Sequence, residues 1–240
     1  MRVSSHARQA PSLALAIEGR AETRTRVASD VANDAALSSV TAPGAVVLPL
    51  SVPVLPGTLL GLELLLQRSA LDLRATSDLL CEDPGALLHV FAMVREELAD
   101  GAEPPARLED CIATLSAERL LRTLVQAGAV RREHAGFAHF ARHGALVGRY
   151  AQAVAESLGL SRERALLVGT LHELGSLPAV LGWPALHAPE HDAVLRCGDL
   201  CRRFGLPREL CAALDAVHRG CRDSVWVAII GAAHELLGSA

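Results

Sequence analysis

Six residues of this 240-residue chain carry most of its chemical potential: His143, His172, Glu173, His191, His218 and His234. Imidazole together with carboxylate binds Zn, Fe, Mn or Ni, and an ion with an open position activates water for hydrolysis. Helical phase sets these histidines apart. His143 shares a stripe with Val147, Tyr150 and Val154, and His218 shares one with Cys211 and Leu214. His234 follows Val227 and Ile230, while His191 precedes Val194, Cys197 and Cys201. These four are therefore expected on apolar, inward faces of four helices. His172 and Glu173 close a helix just before Gly175, where both can enter one cavity. A buried neutral imidazole needs a partner on each nitrogen. Either the rings are dispersed and bonded to backbone, or some converge on a metal or an anion.

Other reactive residues give weaker signals. The cysteines Cys81, Cys111, Cys197, Cys201, Cys211 and Cys221 read as small buried hydrophobes. Cys197 and Cys201 lie four apart on one helical face, a spacing that favours core packing over structural zinc. No local signature of a cysteine nucleophile surrounds any of the six. Every basic residue is arginine. Arg131, Arg132, Arg142 and Arg149 bracket the start of the helix that carries His143. They read as solvent-facing with stems on apolar surface, the alternative being a hold on a substrate phosphate.

The elements that must position these residues are helices. Residues 1–45 have no sustained apolar period and read as a mobile tail. Residues 46–240 read as one domain, with a first helical subdomain over 46–130 and a second over 131–240. In the first, helices are expected over 57–69, from Asp72 to Cys81, from Pro84 towards Gly101, and over 107–115 and 116–127. In the second they are expected over 138–158, from Ser161 to Gly175, and over 189–204, 207–219 and 223–237. Asp83 before Pro84, Ser116 and Ser161 are start signals; Gly205 and Gly220 are stops. No alternating β pattern is sustained, so the fold class is all-α, a helical bundle in two halves. The stretch Ala35–Leu62 is uncharged but broken by Pro43, Pro49, Pro53 and Pro56, which makes it an extended strap and no membrane span.

Composition narrows the function classes. Net charge is −4, and aromatics are 3%. Both argue against a nucleic-acid surface, which needs basic charge and stacking rings. Apolar residues make up 50%, enough to bury a sizeable core. Arg8, Glu18 and Arg20 interrupt any secretory leader, so a cytoplasmic setting is expected.

The segment His139-Phe-Ala-Arg-His143-Gly144, followed by Leu166-Leu-Val-Gly-Thr-Leu-His172-Glu173-Leu-Gly-Ser176, resembles the HD superfamily of helical metal phosphohydrolases. More closely, the chain resembles HDOD, the HD-related output domain of bacterial signalling proteins. The first half agrees, through Leu48-Pro-Leu…Leu55-Pro56, Asp72-Leu…Leu79-Leu-Cys-Glu-Asp83-Pro84-Gly-Ala-Leu87 and Leu108-Glu-Asp-Cys-Ile-Ala-Thr-Leu115. So does Phe204-Gly-Leu-Pro207…Ala213-Leu-Asp-Ala-Val-His218. The match covers about residues 48–240.

The resemblance implies an HD-like helical second half and assigns roles residue by residue. His143 matches the first metal histidine, and His172-Glu173 the His-Asp doublet, with Glu for Asp. His191 and His218 resemble the added histidines of the two-metal branch, and His234 stands where a closing Asp is expected. Arg219 replaces the second histidine of a His-His pair, no Gly-Tyr-Pro triplet follows, and Val90–Glu97 lacks the Asn-Ser-Ala segment common in HDOD proteins. What this implies is a regulatory module without hydrolysis, working through contacts with signalling proteins, and compatible with a homodimer. The alternative is a metal-dependent phosphohydrolase acting on nucleotides or phosphodiesters, with Mn, Fe or Zn held by the histidines.

Overall fold

The computed structural model describes residues 52–67, 71–99, 102–130, 135–183 and 193–239, with backbone only at 193–196. The segment 1–45, Arg131, Arg132 and His191 lie outside the described residues. The chain divides into the units Met1–Leu48 and Pro49–Ala240. The described residues, all in the second unit, are all-α: Val54 and Ala129 form an isolated parallel bridge, and everything else regular is helix. No described helix is long and apolar enough to cross a membrane.

The first half contains α1 (Pro56–Leu66), α2 (Leu73–Leu80), α3 (Pro84–Glu97), α4 (Leu108–Ala113) and α5 (Ala117–Ala127). Local sequence sets their starts. Asp72 accepts from the Ala75 N–H at 2.9 Å, and Ser116 from the Arg119 N–H at 3.2 Å. Asp83 does more than cap α3. Its carboxylate accepts from Gly85 and Ala86 at 2.9 and 3.2 Å, and also from the Leu55 N–H at 2.7 Å. Burial pushes its pKa up while these hydrogen bonds pull it down. The strap ahead of α1 is thereby tied to α3. The His89 ring bonds the Val52 carbonyl at 2.8 Å, and Val54 bonds Gly128 and Val130 at 3.0 Å each. The extended stretch ends at Leu55, because Pro56 occupies the first position of α1.

The second half contains α6 (Ala135–Ser157), α7 (Arg162–Leu171), a 3₁₀ turn (Leu174–Ser176), α8 (Leu177–Val180), α9 (Ala193–Phe204), α10 (Arg208–His218) and α11 (Val225–Gly238). Ser161 caps α7 by accepting from the Arg164 N–H at 3.3 Å. Gly205 and Gly220 stop α9 and α10 with φ of 65° and 60°. One expectation fails: α7 ends at Leu171 and does not run to Gly175. The His172 ring bonds the Gly169 carbonyl at 2.7 Å, on the group that continuation of the helix would use, and the chain tightens into the 3₁₀ turn.

The helices α6 and α7 meet backbone to backbone. A Cβ on Gly169 would lie 2.5 Å from the Gly148 Cα. One on Gly144 would lie 2.5 Å from the Thr170 carbonyl oxygen, and one on Gly148 would lie 2.6 Å from Thr170 Oγ1. Glycine is required on both helices for this approach. Thr170 then donates its hydroxyl to the Cys81 carbonyl at 2.9 Å, linking the crossing to the first half. A second link is Glu163, which accepts from the Leu108 N–H at 2.7 Å. One continuous apolar core, including Leu88, Phe91, Phe137, Val147, Leu167 and Leu171, runs through both halves.

Gly169→Ala gains about 1 kcal/mol of helix propensity, but its methyl group must push two backbones apart, which costs about 3 kcal/mol, the upper end for an overpacked core. The expected net loss is about 2 kcal/mol in chemical denaturation. Gly231→Ala on α11, where a Cβ meets nothing within 4 Å, is expected to stabilise by about 0.5–1 kcal/mol.

Candidate metal centre

The α6–α7 crossing also positions the chemistry. His143 immediately precedes Gly144 on α6, and His172 follows Thr170 at the end of α7, so the closest backbone approach sets the two rings side by side. Their centroids are 5.2 Å apart. The third ring comes from α11, which packs against α6 and buries Ile229, Ile230 and Ala233. The His234 centroid lies 5.2 Å from that of His143 and 5.0 Å from that of His172. One ligand atom from each of His143, His172 and His234 lies within 4.8 Å of the others. Among the described residues these three form a group with metal-ligand spacing.

Hydrogen bonding aims the rings. The Gly169 carbonyl fixes the proton of His172 on Nδ1, which leaves the Nε2 lone pair facing the cluster. The Nε2 atoms of His234 and His172 are 3.2 Å apart, so one donates to the other when no ion intervenes. Glu173 adds a carboxylate: its Oε1 lies 3.9 Å from His143 Nε2 and 4.0 Å from His172 Nε2. Three imidazoles and one carboxylate make a donor set suited to Zn, Fe or Mn.

The other sequence candidates fall elsewhere. His218 stands beside the cluster with both nitrogens engaged: Nδ1 bonds the Leu214 carbonyl at 2.8 Å, and Nε2 accepts from the Gly175 N–H at 3.3 Å. It props the 3₁₀ turn that follows Glu173. Inward orientation is expected for His143, His191, His218 and His234; of the three that are described, His143 and His218 are half-buried and His234 is exposed, while His172 at the end of α7 is buried. His234 lies one position round the helix from buried Ala233, on the flank of the α11–α6 contact, and reaches the cluster from the side. Cys81, Cys111, Cys197 and Cys201 are buried, as expected of small hydrophobes, whereas Cys211 is half-buried and Cys221 exposed. The residues that sequence reasoning passes over are Gly144, Gly148 and Gly169. Two glycines four apart inside a long helix are the available signal.

Two of the three rings, His172 and His234, are held toward the neutral form. Burial pushes the His172 pKa from 6.5 down to about 4, against the opposing Gly169 hydrogen bond, and the neighbouring His234 and His143 rings push the same way. Burial and His143 lower that of His234 as well, with Glu173 opposing. Neutral rings with outward lone pairs are the ligating form.

No family model matches the chain, and no curated protein matches it. Among solved structures it is similar to the MmoQ response regulator from Methylococcus capsulatus str. Bath. The TM-score is 0.58 at 16% identity, covering 76% of this chain and 84% of that one. A second structure, of a fragment of that protein, gives 0.55 at 18% identity, over 79% and 82%. At these identities the likeness is one of fold.

In metal-free protein, His172 makes stability depend on pH. Its folded pKa is depressed, so the unfolded chain takes up the proton first. The stability is fully present above the ordinary histidine pKa of 6.5 and is lost as pH falls through about 4. The full loss is about 3 kcal/mol. Denaturation midpoints between pH 7 and pH 4 are expected to fall less steeply in His172→Asn.

Proposed function

We propose that this chain is a non-catalytic regulatory module of the HDOD type, working in bacterial signal transduction through contacts with other signalling proteins in the cytoplasm. The observation that carries this reading is the fold likeness to a protein named as a response regulator, running over 76% of this chain and 84% of that one. The donor set supports it. Where the HD pattern puts aspartates, this chain has Glu173, whose side chain is 46% exposed, and the neutral His234. A divalent ion held by imidazoles has little of its charge compensated, and the longer Glu arm shifts the one anionic ligand by a methylene.

On this reading His143, His172 and His234, with Glu173 as fourth donor, are the residues that would hold an ion. An ion bound there would supply a Lewis acid and an acidified water. His218 supports the turn behind Glu173. A second reading, metal-dependent phosphohydrolase, is favoured by the convergence of three ligand atoms within 4.8 Å.

Metal content and turnover on the same samples separate the two. Mass spectrometry of untagged wild type is compared with the His143→Ala, His172→Ala double variant, with circular dichroism confirming the fold of both. Both are then loaded with Mn, Fe or Zn and offered bis(p-nitrophenyl) phosphate and nucleotides. We expect no hydrolysis above the double variant, and no gain from Glu173→Asp. Turnover lost in the double variant and raised by Glu173→Asp would establish the hydrolase and end the non-catalytic reading.

A further inference from the structure

Away from the histidine cluster, a groove of about 610 Å³ opens on the seam between the two halves. One wall is Leu55 and the start of α1, with Leu79 and Glu82 from around the end of α2. The opposite wall is a single stripe of α6: Arg142, Ala145, Leu146 and Arg149. None of His143, His172 or His234 lines it. The two arginines are seven residues apart, so their Cα atoms stand about 10 Å apart along the helix axis. Their states differ. Arg149 is ion-paired with Glu82. Arg142 is exposed and has neither hydrogen bond nor ion pair among the described residues. Between them the surface is apolar, with Leu146 40% exposed and Leu55 and Leu79 half-buried.

We propose that this groove binds a small amphipathic anion, whose acidic group meets Arg142 while its apolar body lies on Leu55, Leu79 and Leu146. A guanidinium without a carboxylate partner offers a planar fork of donors matched to carboxylate, sulfonate or phosphate. The volume falls within the range of small-molecule sites, which pair a mostly apolar lining with a few placed polar groups. Charge sets the orientation. At the far end Glu82 neutralises Arg149 and repels a second anion, so the ligand carries its charge at one end. The walls come from both halves, so an occupant bridges the seam. On the regulatory reading above, that is a route by which a chemical signal enters the module; the binding itself does not depend on that reading.

Two substitutions test it without disturbing the fold. Arg142→Glu reverses the unpaired charge. Gly57→Leu places a side chain over the groove at a position where a Cβ meets nothing within 4 Å. The probe is 8-anilino-1-naphthalenesulfonate, an apolar body with one anionic group, and N-phenyl-1-naphthylamine is its uncharged counterpart. Thermal melts establish that both variants are folded. The wild type is expected to bind the sulfonate saturably at one site, and each variant to weaken it about tenfold or more. The uncharged dye should lose affinity in Gly57→Leu and keep it in Arg142→Glu. Non-saturable binding, or binding unchanged in either variant, overturns the proposal; loss in Gly57→Leu alone shows an apolar surface without anion selectivity. Neither variant replaces a histidine of the cluster, so metal content and turnover read the regulatory proposal separately.

Discussion

The contact between Gly148 and Gly169 is the constraint on which the second half depends. Two helices usually pack with axes 8–10 Å apart, spaced by side chains. Here Gly144, Gly148 and Gly169 remove those spacers, and a single methyl group would have to force the backbones apart. The crossing holds His143 and His172 in register because each sits close to a residue that makes it. It also presents the Thr170 hydroxyl to the Cys81 carbonyl, so the same contact anchors the first half. Glycine is a poor helix former. Its presence in the middle of α6 makes sense only through what it lets α7 do.

Two buried polar groups, one on each side of the seam, lean chiefly on backbone. Asp83 ties three N–H groups, one of them from the strap, and stays inside at the cost of a raised pKa. His172 donates its Nδ1 proton to the Gly169 carbonyl, and its Nε2 lone pair points at two other rings. A third ring, His218, spends both nitrogens on backbone and drops out of the ligand set. The difference between a ligand and a strut is thus one hydrogen bond.

The exposed arginines divide in the same manner. Several are matched to carboxylates: Arg107 to Glu163, Arg119 to Glu96, Arg219 to Asp215. Such surface pairs contribute little to stability. Arg142, like Arg74 and Arg222, has no such partner among the described residues, and of these three it is the one that lines the apolar groove. Chemistry at the histidine cluster and recognition at the groove would occupy different faces of α6, which joins them as one rigid element.

The helices are legible in the sequence to within a few residues, because their signals are local. Asp72, Asp83, Ser116 and Ser161 cap the turns they begin, and Gly205 and Gly220 adopt the positive φ that ends one. The histidines that could bind metal are legible as a set. Which of them meet is not. Periodicity places His143, His218 and His234 alike on apolar faces, yet only His143 and His234 join His172, and His234 does so from an exposed flank. The break of α7 at Leu171 likewise depends on a ring turning back to a carbonyl. Helix starts, helix stops and the residue types between them can be read along the chain, since they depend on neighbours within a turn. The convergence of three imidazoles cannot, since it depends on the distance between helices, and for His143 and His172 that distance is set by where two glycines touch.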